Sequence, residues 1–449
     1  MNTDKQDEHI IKIFLSYSIP CIVGMLLTSF IIVVDGLFIG YQIGENGLAA
    51  INLTLPVMYI LLAVTILIGV GGVTLAAQSL GAEKREEASY YFSFSLGTIL
   101  LVDAVIIGIL RLFSADVVVL LGAAGDVYGY VIDFFGVILY FYIFMMMNMA
   151  FSMFIRAEGK PQLSLFFGLA GNILNVILDY VFIINLDLGM RGAALASGIA
   201  VLLPFLFGAW YFLSKKSVFT ISVFDINFAV FKNMLFLGSA EFIAQISISI
   251  TTYIFNQVLF ERLGVNGVAA FTVIGYVMFV ECMILTGIAV GIHPLISFHF
   301  GAKNIGAIFR MFKTAAVAAF IVGVLVFAAV FTLSGKIVAI FARDNQELIR
   351  IGSIGLRIFS AAFIINGYNM MAAAFFTSIG EAKKAVLISS LHSLILTVGF
   401  LAVLPNIIGD TGIWLTTPLA ETITFGLAYL MVIRSKMKLT ANEIGATVY

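Results

Sequence analysis

The chain has 449 residues, of which 61% are hydrophobic and only 11% charged, and its mean hydropathy is +1.10. A water-soluble globular chain carries about a quarter charged residues, so this composition excludes one and specifies a polytopic membrane protein. The net charge of −1 gives no electrostatic footprint for nucleic acid. Cys21 and Cys282 both lie in apolar runs and suggest no disulfide framework.

The opening "MNTDKQDEHIIK" is polar and lacks the basic n-region of a cleaved signal peptide, so the first span is expected to direct insertion itself. A helix needs about 20 apolar residues to cross the hydrocarbon core. Runs of that length fall at 15–40, 53–79, 89–112, 127–153, 161–184 and 189–213, then at 233–260, 268–294, 311–334, 352–376, 384–405 and 411–433. The expected fold is all-α, with twelve transmembrane helices in two six-helix lobes. Residues 1–213 form the N-terminal lobe, 214–232 a cytoplasmic connector, 233–434 the C-terminal lobe and 435–449 a cytoplasmic tail. Continuous apolar runs, rather than short alternating ones, exclude a strand barrel. Alternate loops differ in basic content: Lys84, Arg85, Arg156, Lys160, Lys215, Lys216 and Lys303 share one side with both termini. By the positive-inside rule that side is cytoplasmic.

Sliding the chain by about 220 residues exposes a repeat. "IGENGLAA" (43–50) meets "LGVNGVAA" (263–270), and "GVGGVTLAAQSLGAEK" (69–84) meets "AVGIHPLISFHFGAKN" (289–304), which sets Gly71 on Gly291. Further on, Gly159 pairs with Gly380 and Gly192 with Gly412. Each copy holds an even number of spans, so the copies share one orientation and are expected to be related by a two-fold axis along the membrane normal. Facing halves of that kind form a central cleft whose access alternates as they rock.

The acids do not repeat. Asp35, Asp103, Asp133, Asp179, Glu241, Glu281 and Glu421 fall in or near spans, and sliding any of them by the offset finds no acid. A carboxylate at the bilayer centre costs at least about 2.5–3.5 kcal/mol on insertion scales. Within "GNILNVILDYVFI" (171–183), Asn172, Asn175 and Asp179 share one helical face. Asp35 on span 1 and Ser197 on span 6 lie at similar outer-half depth, so Asp35, Asn175, Asp179 and Ser197 are expected to converge. Two carboxylates with amide and hydroxyl oxygens can share a proton or coordinate Na+ as hard oxygen ligands. In the second half, Glu241 and Glu281 favour cationic ligands in the cleft. "YIFMMMNMAFSMF" (142–154), with Met146 and Asn148, and "NGYNMMAAAFF" (366–376), with Asn366, add an adaptable wall. His293, His299 and His392 show no metal-ligand spacing and receive no role.

Across its whole length the chain resembles the multidrug and toxic compound extrusion (MATE) transporters, closest to their bacterial MepA-like branch. "QSLGAEK" after span 2, "IRAEGKP" before span 5 and "GNILNVILDYVFI" followed by "LGMRGAALAS" carry the resemblance. It implies a first-lobe cation site at Asp35, Asn175, Asp179 and Ser197, with Asn172 beside it and Na+ at Asp35, Asn175 and Asp179 if sodium is the coupling ion. A span 7 glutamate of several members matches Glu241; where some carry a further acid on span 10, this chain has Asn366. Pro20 is expected to let span 1 bend. The implied activity is export of amphipathic, often cationic small molecules against inward H+ or Na+, by a monomer in the bacterial cytoplasmic (inner) membrane, with no cofactor, no enzymatic step and no nucleic-acid partner.

Two rivals make different demands. A lipid-linked precursor flippase of the same superfamily commonly has more spans and a cationic cavity, whereas Arg357 is the only basic residue well inside a span here. An intramembrane aspartyl protease needs a Gly-x-Gly-Asp type motif, which neither "VVDG" nor "LDYV" supplies.

Overall fold

The computed structural model describes residues 3–222, 225–342 and 345–446. Among the described residues there are helices and short connections and no strand. The helices are α1 (Thr3–Gln42), α2 (Glu45–Gly81), α3 (Arg85–Leu112), α4 (Ser114–Leu120), α5 (Asp126–Ala157), α6 (Pro161–Asp179) and α7 (Gly189–Leu213). They continue as α8 (Phe228–Gly301), α9 (Ile305–Ala342), α10 (Gln346–Phe359), α11 (Phe363–Ser378), α12 (Ala382–Ser390), α13 (Leu396–Ile408) and α14 (Thr411–Ala446). Two π-helical segments, Tyr180–Asn185 after α6 and Leu391–Ile395 between α12 and α13, widen their helices by one residue per turn.

Among the described residues, eleven helical stretches are long and apolar enough to cross a membrane. One of them, α8, has 74 residues, which at 1.5 Å per residue would run about 110 Å, over three times the hydrocarbon thickness. It breaks at Gly264, whose φ of 61° and ψ of −154° no helix accommodates. The stretch is therefore two crossings, which makes twelve. The repeat-related Gly44 also has a positive φ, 85°, and ends the gap between α1 and α2. Both copies thus turn on a residue free of a Cβ.

The chain divides into two compact units, Val23–Gly238 and Met1–Ile22 with Ser239–Tyr449. The boundary between these units divides both α1 and α8. The cause is visible at two glycines. A Cβ on Gly71 of α2 would lie 2.0 Å from the Met234 carbonyl oxygen, and one on Gly238 would lie 1.9 Å from that of Leu67. Hence the first turns of α8 press directly on α2. In the other unit, a Cβ on Gly291 would lie 3.0 Å from Ser18 Cα, and one on Gly287 would lie 2.6 Å from Ile22 Cα. Here the start of α1 presses on the second crossing of α8. The repeat pairs Gly71 with Gly291, so both copies make the same close backbone crossing with the leading helix of the other copy.

In residues 23–238, α5 packs against α2 and α7, and α6 against α7. Phe92, Phe135, Phe154 and Phe219 are fully buried there. Phe219 belongs to the connector, which is not a loose tether. Its ring stacks on Phe92 with centroids 5.2 Å apart. Ser217 Oγ and the Val218 N–H donate to Glu158 Oε2 at 2.7 and 2.9 Å, and the Thr220 and Ser222 N–H groups donate to Ser89 and Ser93 hydroxyls at 3.1 and 3.0 Å. The Glu158 side chain is buried, and that burial holds its carboxyl above the ordinary range, against the opposing pull of these donors and of Lys160. In the other unit, α9 packs on α10 and α11, and α14 on α13 and α11; Phe375, Phe376 and Ile292 share one core cluster there, and Leu356 and Leu401 share another with Trp414.

Two outcomes follow. Gly71→Val should lower thermal stability by at least about 1–3 kcal/mol through overpacking, whereas Gly108→Ala, which meets no atom within 4 Å, should be neutral or slightly stabilising in the same melting assay. Glu158→Ala should accelerate tryptic cleavage at Lys215 and Lys216, read by gel, because the segment loses the acceptor that fixes Ser217 and Val218.

Candidate cation site

Helix α6 presents a polar face to protein and an apolar face outward. Asn175 and Asp179, one turn apart, are 6% and 1% exposed, while Ile173 and Ile177 are 59% and 54% exposed. Such a division is the 3.6-residue period at work. Asn172 lies at the edge of the face, half-buried and without a side-chain hydrogen bond. Asp179 is the last α-helical residue before the π segment Tyr180–Asn185.

Small residues let the neighbouring helices close on this face. A Cβ on Gly171 would lie 2.9 Å from the Pro204 ring of α7, and one on Gly198 would lie 2.2 Å from the Phe141 ring of α5. Ser197 is half-buried on α7 beside Gly198 and forms no hydrogen bond to the acids. From α1, the half-buried Asp35 brings its carboxyl within hydrogen-bonding reach of the Asp179 carboxyl. The two acids foreseen as a pair do face each other.

Their surroundings leave them short of donors. Asp35 Oδ1, Asp179 Oδ2 and Asn175 Nδ2 are buried without a hydrogen-bond partner. Among the described residues no Lys or Arg pairs with either acid; Arg191, on α7, is bound instead to Asp133 at 2.8 Å near the exposed end of α5. Two carboxylates within hydrogen-bonding reach repel strongly when both are ionised in a medium of low dielectric. One proton shared between the acids, or one monovalent cation held between them, would cut the pair's charge from −2 to −1 and remove the like-charge repulsion. Their oxygens suit a hard cation; among the described residues no group of three or more His, Cys, Asp or Glu is arranged for a metal ion.

The remaining sequence-selected residues are scattered over both units. Met146 is buried in the core of the first. Asn148 lines a small cavity of about 30 Å³ with Ser152, Ser164 and Gly208. Pro20 is half-buried within α1. In the other unit, Glu281 is fully buried and accepts from Asn366 Nδ2 at 3.2 Å, and Glu241 lies close enough to His392 to interact electrostatically.

Buried Asp103 and half-buried His392 stand outside this set. Asp103 on α3, 1% exposed, accepts from Thr65 Oγ1 at 3.2 Å. His392, in the second π segment, meets Glu421 Oε1 at 3.1 Å. The sequence signal for His392 is an ionisable side chain inside the apolar run 384–405.

Residues 20–181 and 240–403 match the MatE family, in two segments that begin with the spacing of the internal repeat. The chain belongs to that family; it is a multi-pass membrane transporter and not an enzyme. It is 26% identical over 447 residues to the multidrug export protein MepA of Staphylococcus saprophyticus, covering 97% of this chain and 96% of that protein. MepA of Staphylococcus aureus (strain NCTC 8325) is 26% identical over 436 residues, 96% of each chain. The crystal structure of MATE in the bent conformation matches with a TM-score of 0.89 at 24% identity, covering 96% of this chain and 97% of that one. A MOP superfamily transporter from Pyrococcus furiosus, in which reverse polarity of the binding pocket suggests a different function, matches with a TM-score of 0.88 at 24% identity over 96% of each chain. These structural likenesses establish the fold.

If the acids share one ion, their effects are not additive. A double-mutant cycle of Asp35→Asn and Asp179→Asn, followed by thermal unfolding in detergent, should give a coupling of about 0.5–3 kcal/mol; additivity would mean the carboxyls do not interact.

Proposed function

We propose that this protein is an antiporter that exports amphipathic, often cationic compounds by alternating access, driven by inward movement of H+ or Na+. The observation that carries the reading is the Asp35–Asp179 pair, two facing carboxyls with orphaned buried oxygens and no basic partner among the described residues. Such a pair has a reason to persist in a membrane only if it takes up and gives back a positive charge. The kinship to MepA multidrug export proteins supports the substrate class.

In the cycle, the pair takes a proton or Na+ from the outer side while drug leaves, with Asn175, Asn172 and Ser197 supplying polar groups around it. Loading neutralises the repulsion between α1 and α6. Pro20 removes one backbone hydrogen bond from α1, so this helix can bend as the charge arrives. Each 100 mV of membrane potential supplies about 2.3 kcal/mol per net charge entering, enough for a concentration ratio of about fifty when an uncharged compound leaves in exchange for one cation. Glu241 offers a negative group to cationic substrates, whereas Met146, buried in the core of its unit, and Asn148, on a cavity of only about 30 Å³, do not form the substrate-facing wall expected of them. The excess of Lys and Arg in alternate loops orients both termini to the cytoplasm of a bacterial inner membrane.

The test is drug efflux from membrane vesicles under separately imposed pH and sodium gradients. One gradient should drive export by the wild type, and Asp179→Asn should abolish it while the protein stays in the membrane at normal abundance. Full export by Asp179→Asn would overturn the mechanism.

A further inference from the structure

Within residues 23–238, α3, α5 and α7 leave an apolar groove of about 280 Å³ between them, at the end where the connector crosses. Its walls are Leu96, Gly97 and Leu100 of α3, Met147 of α5, and Ala209 and Leu213 of α7. Ser93, Leu96, Gly97 and Leu100 share one face of α3, so the groove follows that helix axis for about 10 Å. Gly97 and Ala209 have almost no side chain to fill it. Leu96 and Met147 are buried, whereas Leu100 and Leu213 are 46% and 69% exposed and stand at its open side. All these helices are membrane crossings, so the open side faces hydrocarbon rather than water.

The connector supplies the last wall, through Ile221 and Ser222. The Ser222 N–H and Oγ donate to Ser93 Oγ at 3.0 and 3.4 Å, and Ser93 Oγ donates to the Thr220 carbonyl at 3.4 Å. The hydroxyls at this end therefore satisfy one another and the backbone. Among the described residues the lining contains no ionisable side chain, so a cationic compound would find no counter-charge in it. The charge lies just outside, where Lys215 and Lys216 follow the last turn of α7 and are both exposed. Lys216 Nζ sits 4.4 Å above the ring of the exposed Trp210. Tryptophan and lysine at the end of a crossing mark the headgroup level of a bilayer. Two acids at this end of the helices are engaged elsewhere, Glu158 with Ser217, Val218 and Lys160, and Glu87 with Lys84.

We propose that this groove binds one acyl chain of an anionic phospholipid, whose headgroup phosphate is met by Lys215 and Lys216. A flexible hydrocarbon chain fits a narrow apolar slot that runs along a helix and opens sideways into the bilayer. A void there would leave Leu96 and Met147 without contacts on one side. The two lysines at its mouth select a negative headgroup over a zwitterionic one. A chain in the groove packs on Ile221, so lipid occupancy and the placing of the connector between α7 and α8 are coupled. The assignment goes beyond the export reading and does not depend on it.

The experiment places the purified full-length chain in phosphatidylcholine nanodiscs at low salt. A trace of phosphatidylglycerol with a photoactivatable acyl chain is added, or phosphatidylcholine with the same chain, and labelled peptides are mapped by mass spectrometry. The phosphatidylglycerol probe should label residues 93–100 and 209–222 more strongly than its phosphatidylcholine counterpart. Lys215→Ala with Lys216→Ala should lower that labelling about 5- to 30-fold, since one lysine near an anionic surface is worth about fivefold. Leu100→Trp should fill the groove and remove labelling there while other lipid-facing peptides stay labelled. If Leu100→Trp does not run as a single species on size exclusion, Ala209→Leu gives the same reading, and the lysine variant, altered only at exposed positions, decides the headgroup. Equal labelling by both probes, unchanged by the lysine variant, marks ordinary surrounding lipid and overturns the proposal. So does absence of label from these peptides, or displacement of the probe by tetraphenylphosphonium, which would make the groove a site for exported cations. Because no transport is measured, failure here is separable from failure of the antiport mechanism.

Discussion

Two carboxyls facing each other without a basic neighbour impose the central constraint on this molecule. In water such a pair is unremarkable; in a helix interface inside a membrane it is tolerable only with a positive charge between or on the acids. The local architecture serves that constraint. Gly171 and Gly198 let the Pro204 ring of α7 close on α6 and the Phe141 ring of α5 close on α7, next to the buried Asp179. The π segment that begins at Tyr180 breaks the regular register just where Asp179 has to meet a side chain from α1. Residues on the far side of α6, Ile173 and Ile177, are left for lipid.

Much of this was legible in the sequence because it rests on periodicity and repetition. The apolar runs place every crossing, and the polar face of α6 follows from the spacing of Asn175 and Asp179. The repeated glycines also carry physical content: Gly71 and Gly291 recur because a backbone crosses at both. The partners at those crossings were not legible. Nothing in composition says that Met234 sits on Gly71 or Ser18 on Gly291, since both are long-range packing outcomes. The π segments escaped for a different reason, because one extra residue in a turn has no compositional signature. His392 was passed over because ligand-spacing rules look along one helix, whereas its neighbours Glu421 and Asn369 come from two others.

The two units share a frame and differ in what they bury in it. The first has a π segment after α6, and the second has one between α12 and α13 that carries His392. Asn148 lines a small cavity in the first unit, while its repeat mate Asn369 is bonded to Glu421 in the second. Duplication preserved the packing positions, where a Cβ would collide with backbone, and left the polar positions free to diverge. That is the order expected when packing is fixed by sterics and chemistry by function.

The exchange of leading helices has a consequence for biogenesis. As the chain emerges from the ribosome, the first six crossings cannot complete their packing, because the backbone that seats on Gly71 belongs to Met234. The opening residues of α1 must in turn wait for the glycines at 287 and 291, some 270 residues later. Neither half is therefore a self-sufficient product of its own gene segment, and the ancestral duplication that created them is locked in by reciprocal assembly.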